Sequence, residues 1–257
     1  MKIAVTGKGG VGKTFIAGTL ACRFASSGQK TIAIDADTSP NLALTLGLSE
    51  DQLEHLVPIA ENNSIIEEKT RTEFPGVYRL TFTVDDIIRD QAVKTPCGVS
   101  LLVMGTVRTV GSGCACPAHS LVRTIVSHLV TERDEVVIMD MEAGIEHLGR
   151  GTAEFVDTML VVTDAHQASL VTASRIVKMA REAGIPKVAL VANRVFGSEQ
   201  EEKIISFARS LDVPLSVIIP YDNQVLEAGM NGQSPVGMSS PAPAALVALQ
   251  QWLNEGR

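Results

Sequence analysis

Residues 7–14 read Gly-Lys-Gly-Gly-Val-Gly-Lys-Thr, set between the apolar run Ile3 to Val5 and a stretch of helical length from Phe15 to Ser27. This is the pattern G-x-x-x-x-G-K-[ST] in strand, loop, helix order, and no other feature constrains the fold as strongly. Glycines let the backbone curl until successive N–H groups converge on an anion, and the following helix adds the positive end of its dipole. Such a loop predicts nucleotide phosphates held by the backbone of Gly7, Lys8, Gly9, Gly10, Val11, Gly12 and Phe15. Lys13 is expected to bridge the β- and γ-phosphates, and the Thr14 hydroxyl to be a magnesium ligand.

Beyond the loop, short apolar runs alternate with helical stretches. Thr31 to Ile34, Val99 to Val103, Val136 to Met139, Met159 to Val162, Val188 to Val191 and Leu215 to Ile219 are unbroken or nearly so. Strands apolar on both sides are what a parallel sheet covered by helices requires. Leu121 to Val130, Leu170 to Ala183 and Pro241 to Leu253 read as helices, with Gly28 and Gly184 as C-terminal stops. The expectation is a single α/β domain over residues 1–257, doubly wound, with a mostly parallel sheet flanked by helices. The predominantly acidic segment 50–96 has no clear strand and is read as an insertion on the sheet rim, either a solvated surface or a docking surface.

Charge narrows the function. Lys and Arg number 22 against 29 Asp and Glu, a net of −7 without any basic block, which argues against nucleic acid as a partner. No apolar run approaches the ~18 residues of a membrane span. Four cysteines in 257 residues are too few for a disulfide scaffold and point to a reducing compartment, so the chain reads as a soluble cytoplasmic protein.

The second lysine of the loop, Lys8, resembles the signature of the deviant Walker A group of dimeric P-loop ATPases, which includes septum-positioning and partition ATPases, nitrogenase iron protein and metallocentre maturation factors. The resemblance implies a homodimer in which Lys8 reaches a nucleotide on the facing subunit, as an arginine finger does elsewhere. Phe15 departs from the group, which usually carries a second hydroxyl residue there; its N–H can still serve, and weaker nucleotide affinity is expected. Asp35-Ala36-Asp37 and Asp140-Met141-Glu142-Ala143-Gly144 end two of the expected strands, the edge where ligands sit in open α/β sheets. By resemblance Asp35 and Asp140 hold magnesium, Asp37 orients the attacking water, and Gly144 lets the segment behind it follow the γ-phosphate. Asp37 could instead cap a helix before Pro40-Asn41.

Val191 to Phe196 lacks the carboxylate of the Asn-Lys-x-Asp guanine motif, since position 196 is Phe. Asn193 and Arg194, with Pro220-Tyr221-Asp222, are therefore read as adenine contacts, and ATP as the nucleotide.

Residues 105–117 run Gly-Thr-Val-Arg-Thr-Val-Gly-Ser-Gly-Cys-Ala-Cys-Pro. Cys114 and Cys116 at i and i+2 can share a soft metal ion, and one such pair is half of a four-thiolate site that two subunits could complete. From spacing alone, two ordinary thiols are an equal alternative. This stretch, together with Val136 to Ala153, the phosphate loop and the Asp-x-Asp segment, resembles the CooC-type nickel-insertion ATPases that mature carbon monoxide dehydrogenase. The resemblance implies an ATP-dependent homodimer that carries Ni2+ or Zn2+ on Cys114 and Cys116 and delivers nickel to a client enzyme, carbon monoxide dehydrogenase or acetyl-CoA synthase. His119 and His147 are read as helix residues with a metal role as the alternative, and Cys22 and Cys97 as buried structural thiols.

A septum-type spatial regulator would need a basic amphipathic tail, whereas Arg257 is the only basic residue after Pro241. Iron–sulfur relatives would need a cysteine beyond Cys116, and there is none.

Overall fold

The computed structural model describes residues 1–37, 39–70, 83–105, 116–131, 135–143 and 156–255, with backbone only at 84, 116–120, 123, 130 and 131. Cys114, Gly144, His147 and most of the 105–117 loop lie outside the described residues, as do the side chains of Cys116 and His119.

All seven expected strands are present. In chain order the strands are β1 (Lys2–Gly7), β2 (Thr31–Ala36), β3 (Val93–Lys94), β4 (Ser100–Val103), β5 (Val136–Met141), β6 (Thr158–Thr163), β7 (Lys187–Val195) and β8 (Leu215–Pro220). They form one sheet in the order β3-β4-β2-β5-β1-β6-β7-β8, parallel throughout except for β3 against β4. The helices are α1 (Lys13–Ser26), α2 (Leu42–Thr45), α3 (Glu50–Glu54), α4 (Asn63–Thr70), α5 (Val84–Gln91), α6 (Cys116–Thr131), α7 (Gln167–Glu182), α8 (Gly197–Ser210), α9 (Asn223–Met230) and α10 (Pro241–Glu255), with a 3-10 turn at Ile59–Glu61.

The alternation of side chains along each strand divides the core in two. Ile3 and Val5 pack with Ile16, Leu20 and Phe24 of α1 and Leu246 and Leu249 of α10 on one face. On the other, Ala4, Ile32 and Ile34 pack with Leu121 and Ile125 of α6 and Ile176 of α7. Because β1 sits between β5 and β6 while its own crossover runs to β2, the carboxyl end of β1 is a switch point of the topology, where a crevice opens.

Two expectations need correction. The 50–96 segment is not strandless: Val93 and Lys94 pair with Leu101 and Ser100 as an antiparallel edge strand. Nor is it merely a surface, since Ile59, Ile65 and Ile87 are buried against α6. Each belongs to a short apolar pair, Ile59-Ala60, Ile65-Ile66 and Ile87-Ile88, set between charged and polar residues, too brief a run to show a helical period in the sequence. The second correction concerns Cys22 and Cys97, expected as buried free thiols. They are joined in a disulfide that ties α1 to the β3–β4 turn across 75 positions, with Cα atoms 5.5 Å apart. Their pairing depends on tertiary packing and could not be read from spacing.

Candidate functional site

The loop 8–12 lies at the carboxyl end of β1 and delivers the chain into α1. Two of its glycines are required by their surroundings. A Cβ on Gly7 (φ 151°) would collide with the Val162 carbonyl oxygen, and one on Gly12 (φ 94°) with the Asn193 amide. Two side chains from the end of β7 hold the second half of the loop. Asn193 Nδ2 donates to Val11 O at 2.7 Å, and Arg194 Nη1 donates to Gly10 O at 2.8 Å, with Arg194 itself in the left-handed region at φ 57°. Asn193 is buried, and its amide nitrogen donates one hydrogen to the loop, so beside the adenine contact expected of it this side chain shapes the cradle. By contrast, Lys8 is exposed, and its ammonium has no partner among the described residues.

Lys13 is almost fully buried and its Nζ lies 3.9 Å from Asp37 Oδ2. The other Asp37 oxygen accepts from Ser39 N–H at 2.9 Å, a local turn and not a helix cap. The amide that begins α2 is capped from further back: Leu42 N–H donates to Asp35 Oδ2 at 2.8 Å, while Asp37 N–H donates to Asp35 Oδ1. Asp35 thus spends both oxygens on the backbone of the segment it precedes. Burial lifts its carboxyl to about 6, those two hydrogen bonds pull it back, and the Asp37 charge pushes it up again.

Asp140 differs. It stands in register with Asp35 across the β2–β5 pair, it is fully buried, and neither carboxylate oxygen has a hydrogen-bond partner among the described residues. Burial lifts it to about 7; the nearby Thr14 hydroxyl and Lys13 ammonium temper the rise without a hydrogen bond of proper geometry, and the Asp35 charge adds to it. An unpartnered buried carboxylate beside a hydroxyl and a phosphate-type loop is costly unless a cation completes it. Its hard oxygen donors suit magnesium.

A cavity of about 380 Å³ continues from Gly12 and Phe15 past Asn193 and Arg194 to Pro220 and Tyr221. The residues expected to flank a base therefore meet in one place. The carboxylate of Asp222, however, is used structurally: Oδ1 caps α9 through Gln224 N–H at 3.0 Å, and Oδ2 accepts from Ala242 N–H at the start of α10 at 2.9 Å. Val225, Leu226 and Met230 of α9 complete the wall, with Leu226 and Met230 exposed. These were missed in the sequence, where the apolar spacing of so short a helix gives no sign of facing a cavity. Among the described residues no group of three or more His, Cys, Asp and Glu could hold a metal ion. No described helix is long and apolar enough to cross a membrane.

Residues 2–236 match the family model of the CobQ/CobB/MinD/ParA nucleotide binding domain. The chain belongs to this family. It is a P-loop ATPase, and its sheet and switch-point loop are those of the family's members. An ATP-binding protein of Methanocaldococcus jannaschii is 43% identical over 246 residues, 94% of this chain and 93% of that one. The carbon monoxide dehydrogenase accessory protein CooC of Rhodospirillum rubrum is 41% identical over 240 residues, 93% of this chain and 90% of that one. Among solved structures, the septum site-determining protein MinD from Pyrococcus horikoshii, in complex with Mg-ADP, superposes with a TM-score of 0.72 at 20% identity, covering 98% of this chain and 95% of that one. This last likeness is one of fold.

Proposed function

We propose that the chain is an ATP-dependent metallochaperone that matures carbon monoxide dehydrogenase, loading nickel as its cargo. The observation that carries this reading is the 41% identity to CooC along nearly the whole chain, joined to the Cys114-Ala115-Cys116 stretch that would hold the cargo ion. Two thiolates per chain leave a soft metal ion half coordinated, and a second copy supplies the other half. A cytoplasmic location suits Cys114 and Cys116, which must be reduced to bind metal, whereas Cys22 and Cys97 are paired with each other.

The nucleotide site supplies the drive. The loop N–H groups and Lys13 take the β- and γ-phosphates, and the cavity from Phe15 to Tyr221 takes the adenine. Magnesium, held by Thr14 and Asp140 with Asp35 behind them, would neutralise charge that develops on the phosphates. Lys13 Nζ lies 3.9 Å from Asp37 Oδ2. Arrival of the γ-phosphate draws the Lys13 ammonium away, which leaves the Asp37 carboxylate free to accept a proton-bearing contact from the attacking water. Lys8, exposed and without a partner among the described residues, contributes its charge to the nucleotide of the facing copy and so makes hydrolysis depend on dimerisation.

Equilibrium dialysis against Ni2+ and Zn2+, with gel filtration in the presence and absence of Mg-ATP, tests this. We expect about one ion per dimer, lost when Cys114 and Cys116 are both replaced by Ser, with ATP hydrolysis retained by that variant. Equal metal retention by the double-Ser protein would sink the cargo assignment.

A further inference from the structure

A cavity of about 870 Å³ opens on the second half of α1, against about 380 Å³ for the one that runs from Gly12 to Tyr221. The two lie along the same helix: Phe15 lines the smaller, and Thr19, one turn further on, lines the larger. The 236–240 segment and the first turn of α10 form its other walls. Arg23 is the one charged residue in this lining among the described residues, in a chain whose net charge is −7.

That arginine is held in place and left incomplete. Its Nε donates to Gln250 Oε1 at 3.1 Å, and the Gln250 amide donates in turn to Ser27 Oγ at 3.4 Å, with Gln250 only 9% exposed. A buried amide therefore orients the guanidinium, while Nη1 and Nη2 have no partner among the described residues and no carboxylate is paired with them. The walls are short of partners as well. The Thr19 and Ser240 hydroxyls are buried without a hydrogen bond of proper geometry, a condition shared among the described residues only by the two oxygens of Asp140. Buried polar atoms are normally paired, so a wall with two bare hydroxyls is incomplete as the chain alone builds it. Both are sealed from solvent, and the contacts that select a ligand fall to Arg23 and to the exposed Ser26 and Ser239 at the rim.

Charge and shape narrow the ligand. One guanidinium with no second cation balances a single negative charge, whereas a dianionic phosphate would bring a charge with nothing to pair it. A carboxylate fits the parallel N–H groups of the fork. Val236, Met238, Pro241, Pro243 and Ala244 give an uncharged body an apolar surface to cover. A few convergent polar groups on an otherwise apolar wall are the usual composition of a small-molecule site.

We propose that this cavity is a binding site for a small organic monocarboxylate, its carboxylate on Nη1 and Nη2 of Arg23 and its apolar body along Met238 and Pro243.

Hexanoate is the probe and hexanamide its neutral twin. Each is titrated by calorimetry into the full chain saturated with Mg-ADP, which keeps the phosphate loop occupied. Hexanoate should bind at one saturable site, at least ~10-fold tighter than hexanamide, and acetate, which lacks the body, should bind more weakly than hexanoate. Arg23→Gln should remove the preference for hexanoate over the amide, and Arg23→Lys, which keeps the charge, should retain part of it. Ser239→Asp, an exposed change that leaves Arg23 in place, should weaken hexanoate several-fold and leave hexanamide unchanged, so the reading can be tested even where Arg23→Gln fails to fold. Absence of saturable hexanoate binding to the Mg-ADP-loaded wild type overturns the site. A ratio of hexanoate to hexanamide affinity that Arg23→Gln and Ser239→Asp both leave unchanged overturns it too. The proposal does not depend on the nickel reading, since the measurement involves neither cargo metal nor client enzyme.

Discussion

Asp140 offers the sharpest quantitative prediction, because its burial and lack of partners act in opposite directions with and without ligand. The perturbation is Asp140→Asn, which keeps shape and removes charge. Below about pH 4 the carboxyl is neutral in the folded and unfolded chain alike and costs nothing. Between there and about 7 the unfolded chain ionises while the folded one holds its proton, so stability falls as pH rises; above about 7 the folded carboxylate is charged and the full cost is present. A carboxyl carried from 3.8 to about 7 is worth on the order of 4 kcal/mol, about 1.4 kcal/mol for each tenfold change in proton affinity. The Asn variant escapes that cost. In urea unfolding without metal or nucleotide, it should therefore be more stable than the wild type at pH 8 by up to that amount, with the advantage shrinking toward zero at pH 4. Saturating Mg-nucleotide should close most of that gap. A ligand at a hundred times its Kd adds about 2.7 kcal/mol to the wild type, and the variant, without the carboxylate that completes the cation site, should gain much less. A variant that is equally destabilised at pH 5 and pH 8 in metal-free buffer would refute the reasoning, because that outcome means Asp140 holds structure through contacts and not through its charge.

Three further outcomes follow from the same geometry. Lys8→Ala should cut ATP hydrolysis by roughly a thousand-fold, and mixing it with an Asp37→Ala protein should restore turnover at least ~10-fold above the sum of the two, since the mixed dimer contains one complete site; simple additivity would show that Lys8 acts within its own chain. Asn193→Ala removes the buried hydrogen bond to Val11 O and leaves a loop carbonyl unpaired, at about 1–3 kcal/mol, so calorimetry should find ADP bound at least ~10-fold more weakly. Phe15→Thr should tighten nucleotide binding several-fold in the same titration by restoring a hydroxyl at the end of the loop, and unchanged affinity would mean the Phe15 N–H already suffices.

The strands were legible because each is apolar on both sides, which only a helix-covered parallel sheet explains, and the phosphate loop was legible because few backbones other than a strand-to-helix turn need those glycines. What escaped the sequence was pairing at long range. Asp35 and Asp140 look equivalent as strand-end carboxylates, yet one is consumed by the amides of Asp37 and Leu42 while the other is left bare. Position alone places Asn193 and Asp222 beside the base; it does not show that the Asn193 amide nitrogen also holds the loop or that the Asp222 carboxylate also holds two helix starts. β3 is two residues long, too short to carry a period, and nothing in a separation of 75 positions announces the bond between Cys22 and Cys97.

The two hydrogen bonds from Asn193 and Arg194 to the loop bear on how affinity and turnover can evolve separately. They clamp Gly10 and Val11, the half of the loop next to α1, so the ordering of that half is completed when the chain folds and need not be repeated each time a nucleotide binds. Lys8 and Gly9 receive no side chain from β7: both residues are exposed, and the Lys8 carbonyl accepts only the Val11 N–H at 3.3 Å among the described residues. One short loop thus carries both a clamped phosphate cradle and an exposed lysine. Changes at the ends of β7 and β8 would tune how tightly the nucleotide is held, while changes around residues 8 and 9 would tune how well one copy of the protein can act on the nucleotide of another.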